Sequence, residues 1–158
     1  MIKNVILDTE VFVLFVVGMI DRNYIGKFIK TKQYSPREFD LLIQKISTFE
    51  NIFITPHILA EFSHLTIEHK NFRDDYKKVL KEFILKLENC NLREINIGLP
   101  LIFSNKNIYF LGVADVSIIE ACGNDFAIIT ADGVCADKLR ESGKNVLKFI
   151  ATKGFVDY

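Results

Sequence analysis

Cysteine is scarce in this chain and follows no pattern. Three occur in 158 residues, Cys90, Cys122 and Cys135. The count is odd and no pair has C-x-x-C spacing, which argues against structural zinc and against a disulfide framework. Reduced, buried or half-buried thiols in a cytoplasmic protein are the expectation. Neither sign of charge is in excess: Lys plus Arg and Asp plus Glu number 20 each, for a net charge of zero. That is not the profile of a strongly basic nucleic-acid binder, although an acidic site can offset a basic rim elsewhere. A long apolar run is missing too. The longest, Val11 to Ile20, is interrupted only by Gly18 and is about half of what a bilayer span needs. Asp8 and Glu10 precede it, where a secretory signal would carry positive charge. It reads as a buried helix, with no membrane association. There is no G-x-x-x-x-G-K phosphate loop, no internal repeat, no low-complexity stretch and no linker. With 49% hydrophobic and 25% charged residues, the chain is expected to form one ordered domain over residues 1–158.

Apolar periodicity then sets out the elements. Val5-Ile6-Leu7 reads as a fully buried strand, followed by a helix from about Glu10 to Ile20. Asp21-Arg22-Asn23 breaks that run, and Lys27, Lys30, Lys32 and Arg37 make the next stretch locally basic. Ser35-Pro36-Arg37-Glu38 is a helix start, with Ser35 as cap, Pro36 at the first helical position and Glu38 closing a capping box. Asn51 to Thr55 reads as a second strand, and Thr55-Pro56 opens a helix carrying Glu61. Phe72 to Leu87 is the clearest amphipathic helix. Asn91 to Ile108 is ambiguous, with turn signals at Gly98, Pro100 and Asn105 to Asn107 and a short strand over Arg93 to Ile97. A helix over about Val113 to Cys122, a strand at Phe126 to Thr130, a helix from about Val134 to Glu141 and a strand at Val146 to Phe149 complete the chain. Strands alternating with helices predict a three-layer α/β/α fold around a central parallel sheet, Rossmann-like in plan.

Four acids stand out against that plan. Asp8 ends the first strand and Asp132 follows the strand Phe126 to Thr130. Both fall where a buried parallel strand leaves its sheet, the edge at which open α/β sheets bind ligands. Each also suits a plain structural role: Asp8 as a helix cap, Asp132 as a cap or as part of an Asp-Gly turn. Glu61 lies at the edge of the stripe formed by Ile58, Phe62 and Leu65, where a glutamate with its tip in water is the bland alternative. Asp115 has Ile118 and Ile119 at i+3 and i+4 and so faces the apolar side, but it also sits in a first helical turn, where the helix dipole favours it. Carboxylates among apolar residues are costly unless paired or bound to a cation. Four of them converging suggest Mg²⁺ or Mn²⁺ and phosphate-ester chemistry. Asp137 and Glu120 are expected to be exposed.

Taken in order, these residues resemble those of the PIN-domain ribonucleases. The likeness spans nearly the whole chain. It rests on Val5-Ile6-Leu7-Asp8-Thr9, on the helical Glu61, on Ala114-Asp115, and on Ile128-Ile129-Thr130-Ala131-Asp132 with a helix and strand after it. The resemblance implies that Asp8, Glu61, Asp115 and Asp132 hold Mg²⁺ or Mn²⁺, which activates water for attack on an RNA phosphodiester. It also implies that Thr130 is the hydroxyl residue supporting the last acid. Many such proteins are toxins neutralised by a small antitoxin, others mature ribosomal or transfer RNA, and dimers through the first helices occur; the resemblance leaves these open. Two features depart from the family. Glu10 stands where a small polar residue such as Asn is frequent, and the basic region from Lys27 to Phe49 is longer than in the smallest members. Lys27, Lys30, Lys32 and Arg37 are candidates to hold the RNA backbone, although for any one of them a solvated surface is the leading reading.

Three other readings compete. His57, Glu61, His64 and Glu68 share one helix face, and Glu61-x-x-His64 has the spacing of carboxylate di-iron sites. A second such motif is missing, however, and strands argue against a helix bundle. A haloacid-dehalogenase-like phosphatase would also put an Asp after the first strand, but it needs another Asp two residues on, where this chain has Glu10. The last reading is a PIN-fold scaffold that binds RNA or protein with weak or lost catalysis.

Overall fold

A computed structural model describes residues 2–67 and 92–156. Six strands form one sheet: β1 (Asn4–Leu7), β2 (Asn51–Ile54), β3 (Leu92–Glu94), β4 (Phe126–Thr130), β5 (Asn145–Ile150) and β6 (Gly154–Val156). Their spatial order is β3-β2-β1-β4-β5-β6. The first five are parallel, and β6 turns back antiparallel on β5. The helices are α1 (Thr9–Ile20), α2 (Pro36–Ile46), α3 (Pro56–Ile67), α4 (Leu99–Ser104), α5 (Val113–Ala121) and α6 (Gly133–Glu141). The architecture is the three-layer α/β/α fold with a mostly parallel central sheet. Chain order reverses between β1 and β4, so crossovers run outward in both directions from that pair. Because parallel crossovers are right-handed, such a reversal carries helices to both faces and opens a crevice at the strand ends between them.

The central strands are buried as a parallel sheet requires. Val5, Ile6 and Leu7 of β1 and all five residues of β4 are inaccessible or nearly so. Helix α1 is apolar all round because it is buried all round: Val11 to Gly18 are covered without a break. A Cβ at Gly18 would lie 2.3 Å from two ring carbons of Phe39 on α2, so the two helices meet this closely only because residue 18 lacks a side chain. Gly18→Ala should therefore destabilise the protein. Overpacking costs ~1–3 kcal/mol, and so deep an overlap sits at the upper end; the ~1 kcal/mol helix-propensity gain leaves a net loss of ~1–2 kcal/mol, to be read from urea denaturation midpoints.

The capping box expected at Ser35 and Glu38 is present, with Pro36 opening α2. Elsewhere the sequence-based boundaries shift. The strand expected over Arg93 to Ile97 spans Leu92–Glu94. The ambiguous stretch after it holds the short helix α4 and a 3-10 turn at Lys106–Tyr109. Strand β6, three residues long, has no expectation behind it: it follows a turn in which Thr152 and Gly154 both take positive φ, and three residues are too few for a periodic signal. The helix expected over Phe72 to Leu87 lies outside the described residues, as do Cys90 and Glu68. Cys122 and Cys135 are free and buried, as anticipated.

Candidate active site

The crevice between the ends of β1 and β4 is a cleft of about 380 Å³, and Asp8, Glu61, Asp115 and Asp132 all line it. Each arrives from a different element. Asp8 follows β1 and is only 4% exposed. One carboxylate oxygen caps α1 by accepting from the Val11 amide at 2.8 Å, and the other accepts from the Ala131 amide at 3.0 Å. That second bond crosses the switch and ties the end of β1 to the loop after β4. Asp132 caps α6, with Oδ1 accepting from the amides of Val134 (2.7 Å) and Cys135 (3.1 Å). The capping role and the site position weighed from the sequence thus coincide at both residues, because a helix N-terminus starts where each strand ends.

Thr130 lies beneath this pair and is fully buried. Its hydroxyl accepts from the Asp132 amide at 3.1 Å and reaches the Asp132 carbonyl at 3.5 Å, and it lies near enough to Asp8 to favour that carboxyl's charged form. Glu61 and Asp115 come from α3 and α5, which a buried hydroxyl chain locks together. Ser117 donates to the Ala114 carbonyl at 2.6 Å, which leaves Thr55 to donate to Ser117 at 2.8 Å. Glu61 itself is exposed and accepts from the Thr9 hydroxyl. Glu10 also faces the cleft, but Gln33 and Tyr34 donate to its carboxylate at 2.9 and 2.6 Å. Glu10 is therefore held by two donors absent from the sequence-based site.

Crowding of like charge in a partly desolvated cleft alters the acids. Burial pushes the Asp8 carboxyl up to about 7, against the hydrogen bonds from Thr130, Val11 and Ala131 that favour its charged form. Asp115 is raised first by burial and further by the charges of Glu61 and Asp132, while the Cys135 thiol donates to it and opposes the shift. Burial, reinforced by Asp115, drives the Cys135 thiol well above the ordinary range, which keeps it protonated. Hard carboxylate oxygens whose ionised forms repel one another suit a divalent cation such as Mg²⁺ or Mn²⁺. Asp132 Oδ2 meets no hydrogen-bond donor among the described residues, and one oxygen of Glu61 is likewise uncommitted. Among the described residues, no three His, Cys, Asp or Glu side chains already stand close enough to grip one ion. The donor set fits the cation in kind, and the ion would have to draw the acids together.

The other candidates separate. Of the four basic residues between 27 and 37, Lys30 lines the cleft, whereas Lys27, Lys32 and Arg37 are exposed. His57 borders a second hollow of about 320 Å³ that shares Glu61 and Asp115 with the first. Its Nδ1 is buried and meets no partner among the described residues. His64 is exposed. Asp137 is exposed as expected, but Glu120 is not: it is half-buried and accepts from the Asn105 side chain at 2.6 Å, because the turn after α4 folds against α5. Thr9 closes the first motif but carries no role from sequence, Lys30 is one of four basic candidates for holding RNA, and Gln33 and Tyr34 are not singled out; only tertiary contact brings them to the cleft and to Glu10.

The double duty of Asp132 gives a clean pair of variants. Asn caps a helix about as well as Asp, so Asp132→Asn should leave the melting temperature nearly unchanged. Asp132→Ala removes the acceptor for two amides and should cost ~1 kcal/mol, about 2–4 °C at this chain length, measurable by thermal circular dichroism in chelator.

No protein family and no curated protein matches this chain. A solved structure described as a domain of a functionally unknown protein from Methanocaldococcus jannaschii DSM 2661 is similar to it, with a TM-score of 0.51 at 16% identity. The match covers 99% of this chain and 97% of that one. At that identity the likeness speaks to the fold alone.

Proposed function

We propose that the protein is a metal-dependent endoribonuclease that hydrolyses RNA phosphodiester bonds in the cleft between β1 and β4. One observation carries the reading: Asp8, Glu61, Asp115 and Asp132, from four separate elements, line a single cleft at the switch in strand order. RNA as substrate comes from the PIN-domain resemblance. Asp8, Glu61, Asp115 and Asp132 are the residues to hold Mg²⁺ or Mn²⁺. The bound ion would supply a water of lowered pKa and offset charge on the phosphate. The chain's own residues prepare the place. Ala131 and Val11 amides fix the Asp8 carboxylate, Thr130 braces Asp8 against Asp132, and Thr9 steadies Glu61. The Asp132 cap uses one carboxylate oxygen and leaves the other without a donor among the described residues.

A scaffold that binds without cutting is the second reading. It is favoured by Glu10, a fifth carboxylate tethered in the cleft, and by acids that are not yet gathered for an ion. Labelled single-stranded RNA incubated with Mn²⁺, Mg²⁺ or chelator, beside Asp132→Asn, separates the two. Cleavage that needs the metal and is lost in a stably folded Asp132→Asn supports the nuclease. No cleavage from folded protein on a panel of structured and unstructured RNAs favours the scaffold, and cleavage that persists in chelator overturns the metal-dependent reading. A toxin's role opposite a small antitoxin, and a homodimer, rest on the resemblance alone; co-expression with the product of a neighbouring reading frame and light scattering test them.

A further inference from the structure

The lining of the acidic cleft has a single cation among the described residues, Lys30. It faces Asp8, Glu10, Glu61, Asp115 and Asp132, yet it forms no ion pair or hydrogen bond with any of them or with any other described residue. A lysine whose task was to neutralise one of these acids would be found against it, because opposite charges at a partly desolvated wall attract strongly. Lys30 stands off, half-exposed, on the wall formed by the segment after α1.

The backbone that carries it is anchored on both sides. Phe28 and Thr31 are buried, and Thr31 donates through its hydroxyl to the Ile25 carbonyl at 2.7 Å. Backbone bonds run from the Thr31 amide to Phe28 and from the Tyr34 amide to Thr31. The Tyr34 hydroxyl reaches across to Glu10. Lys30 is thus carried to the cleft wall by a backbone turn held on both sides, as a preorganised contact requires.

We infer that Lys30 is the residue that grips a phosphate of the RNA at the cleft, bringing an anion to a wall that is otherwise acidic. The inference rests on the nuclease reading for its substrate, and it names the side chain by which that substrate is held. An anionic backbone approaching five carboxylates needs a cation already on that wall, and an ammonium on a flexible stem suits a single phosphate oxygen. Lys3, paired with Glu50 at the opposite end of β1, carries the same charge away from the cleft.

The test compares Lys30→Met, Lys30→Arg and Lys3→Met. Cleavage of labelled single-stranded RNA in Mn²⁺ gives kcat/KM, and Mn²⁺ affinity is titrated calorimetrically without RNA. RNA binding is measured against salt in the Asp132→Asn background. Lys30→Met should lose about 10²-fold in kcat/KM, as for removal of one donor to a reacting oxyanion. Lys30→Arg should retain most activity and Lys3→Met nearly all. The slope of log affinity against log salt should fall by about 0.7 for Lys30→Met, the share of one phosphate contact on a single strand, with Mn²⁺ affinity unchanged. Equal cleavage by Lys30→Met and Lys3→Met overturns the inference. So does a loss of cleavage with an unchanged salt slope and tighter Mn²⁺ binding, which would make Lys30 a counter-charge for the acids. If the unmodified protein cleaves nothing, the nuclease reading fails by itself. The salt slope then still decides whether Lys30 holds RNA, and identical slopes reject it.

Discussion

Asp115→Asn is expected to abolish metal-dependent RNA cleavage while raising the melting temperature of the metal-free protein. Substituting even the partners behind a metal ligand costs ~10–100-fold, so losing a ligand should exceed ~100-fold in kcat/KM. The stability change runs the other way. Asp115 is raised by burial and by the facing charges of Glu61 and Asp132, so its ionised form is a net burden when no cation is present. The amide keeps an oxygen for the Cys135 thiol and removes one charge from the repelling set. Relieving a strained site in this way commonly adds ~0.5–2 kcal/mol, or a few degrees for a chain of this length. Saturating Mn²⁺ should reverse the order, stabilising the unmodified protein through binding to the folded state and leaving the variant nearly unmoved. Paired thermal melts with chelator and with Mn²⁺ read all four values. A variant that melts lower than the parent in chelator would show that Asp115 contributes structure and not stored repulsion.

The second large effect is on pH. In chelator, stability is expected to fall as pH rises from about 4 to about 7. An unfolded Asp titrates near 3.8, whereas burial holds Asp8 up to about 7 in the fold. Between those values the native state keeps a proton that the unfolded chain has lost. It therefore binds more protons than the unfolded state, and the unfolding free energy declines with pH. Each unit is worth at most ~1.4 kcal/mol, for a ceiling of ~4 kcal/mol, and the shift at Asp115 adds in the same direction. Glu38 works oppositely: its lowered carboxyl, held by Ser35, stabilises above the unfolded pKa and loses that contribution as pH falls through its folded value. Denaturant titrations between pH 4.5 and 8 measure the net slope. Excess Mn²⁺ should flatten it, because the cation takes the proton's place. Calorimetry at pH 6 in buffers of different ionisation enthalpy should then detect proton release on binding. A flat profile in chelator would mean that Asp8 titrates as an ordinary carboxylate.

Much of the fold was legible because its central elements carry strong local signals. Val5 to Leu7 and Phe126 to Thr130 are unbroken apolar runs, as only strands covered on both faces can be. Ser35, Pro36 and Glu38 form a capping box that acts within a single turn. The elements that escaped are short or weakly periodic. Helix α4 has six residues and exposes Leu99, Leu101 and Phe103, so its apolar residues trace no buried stripe. Strand β6 depends on a turn with positive φ at Thr152, a residue type that does not announce that conformation.

The acids divide along the same line. By itself the sequence determined that Asp8 and Asp132 stand at the ends of buried strands, and that Glu61 and Asp115 sit on helices beside apolar stripes, since strand ends and helix faces are set by local periodicity. Only the tertiary structure decided that these four share one cleft, because that depends on β1 and β4, remote in the chain, lying side by side. It alone tied Glu10 to Tyr34, hydrogen-bonded Thr55 to Ser117, and placed Lys30 of four similar basic residues in the cleft lining. Those choices rest on contacts between segments remote in sequence, and a hydroxyl, an amide or an ammonium carries no periodic pattern to reveal which distant partner it will meet.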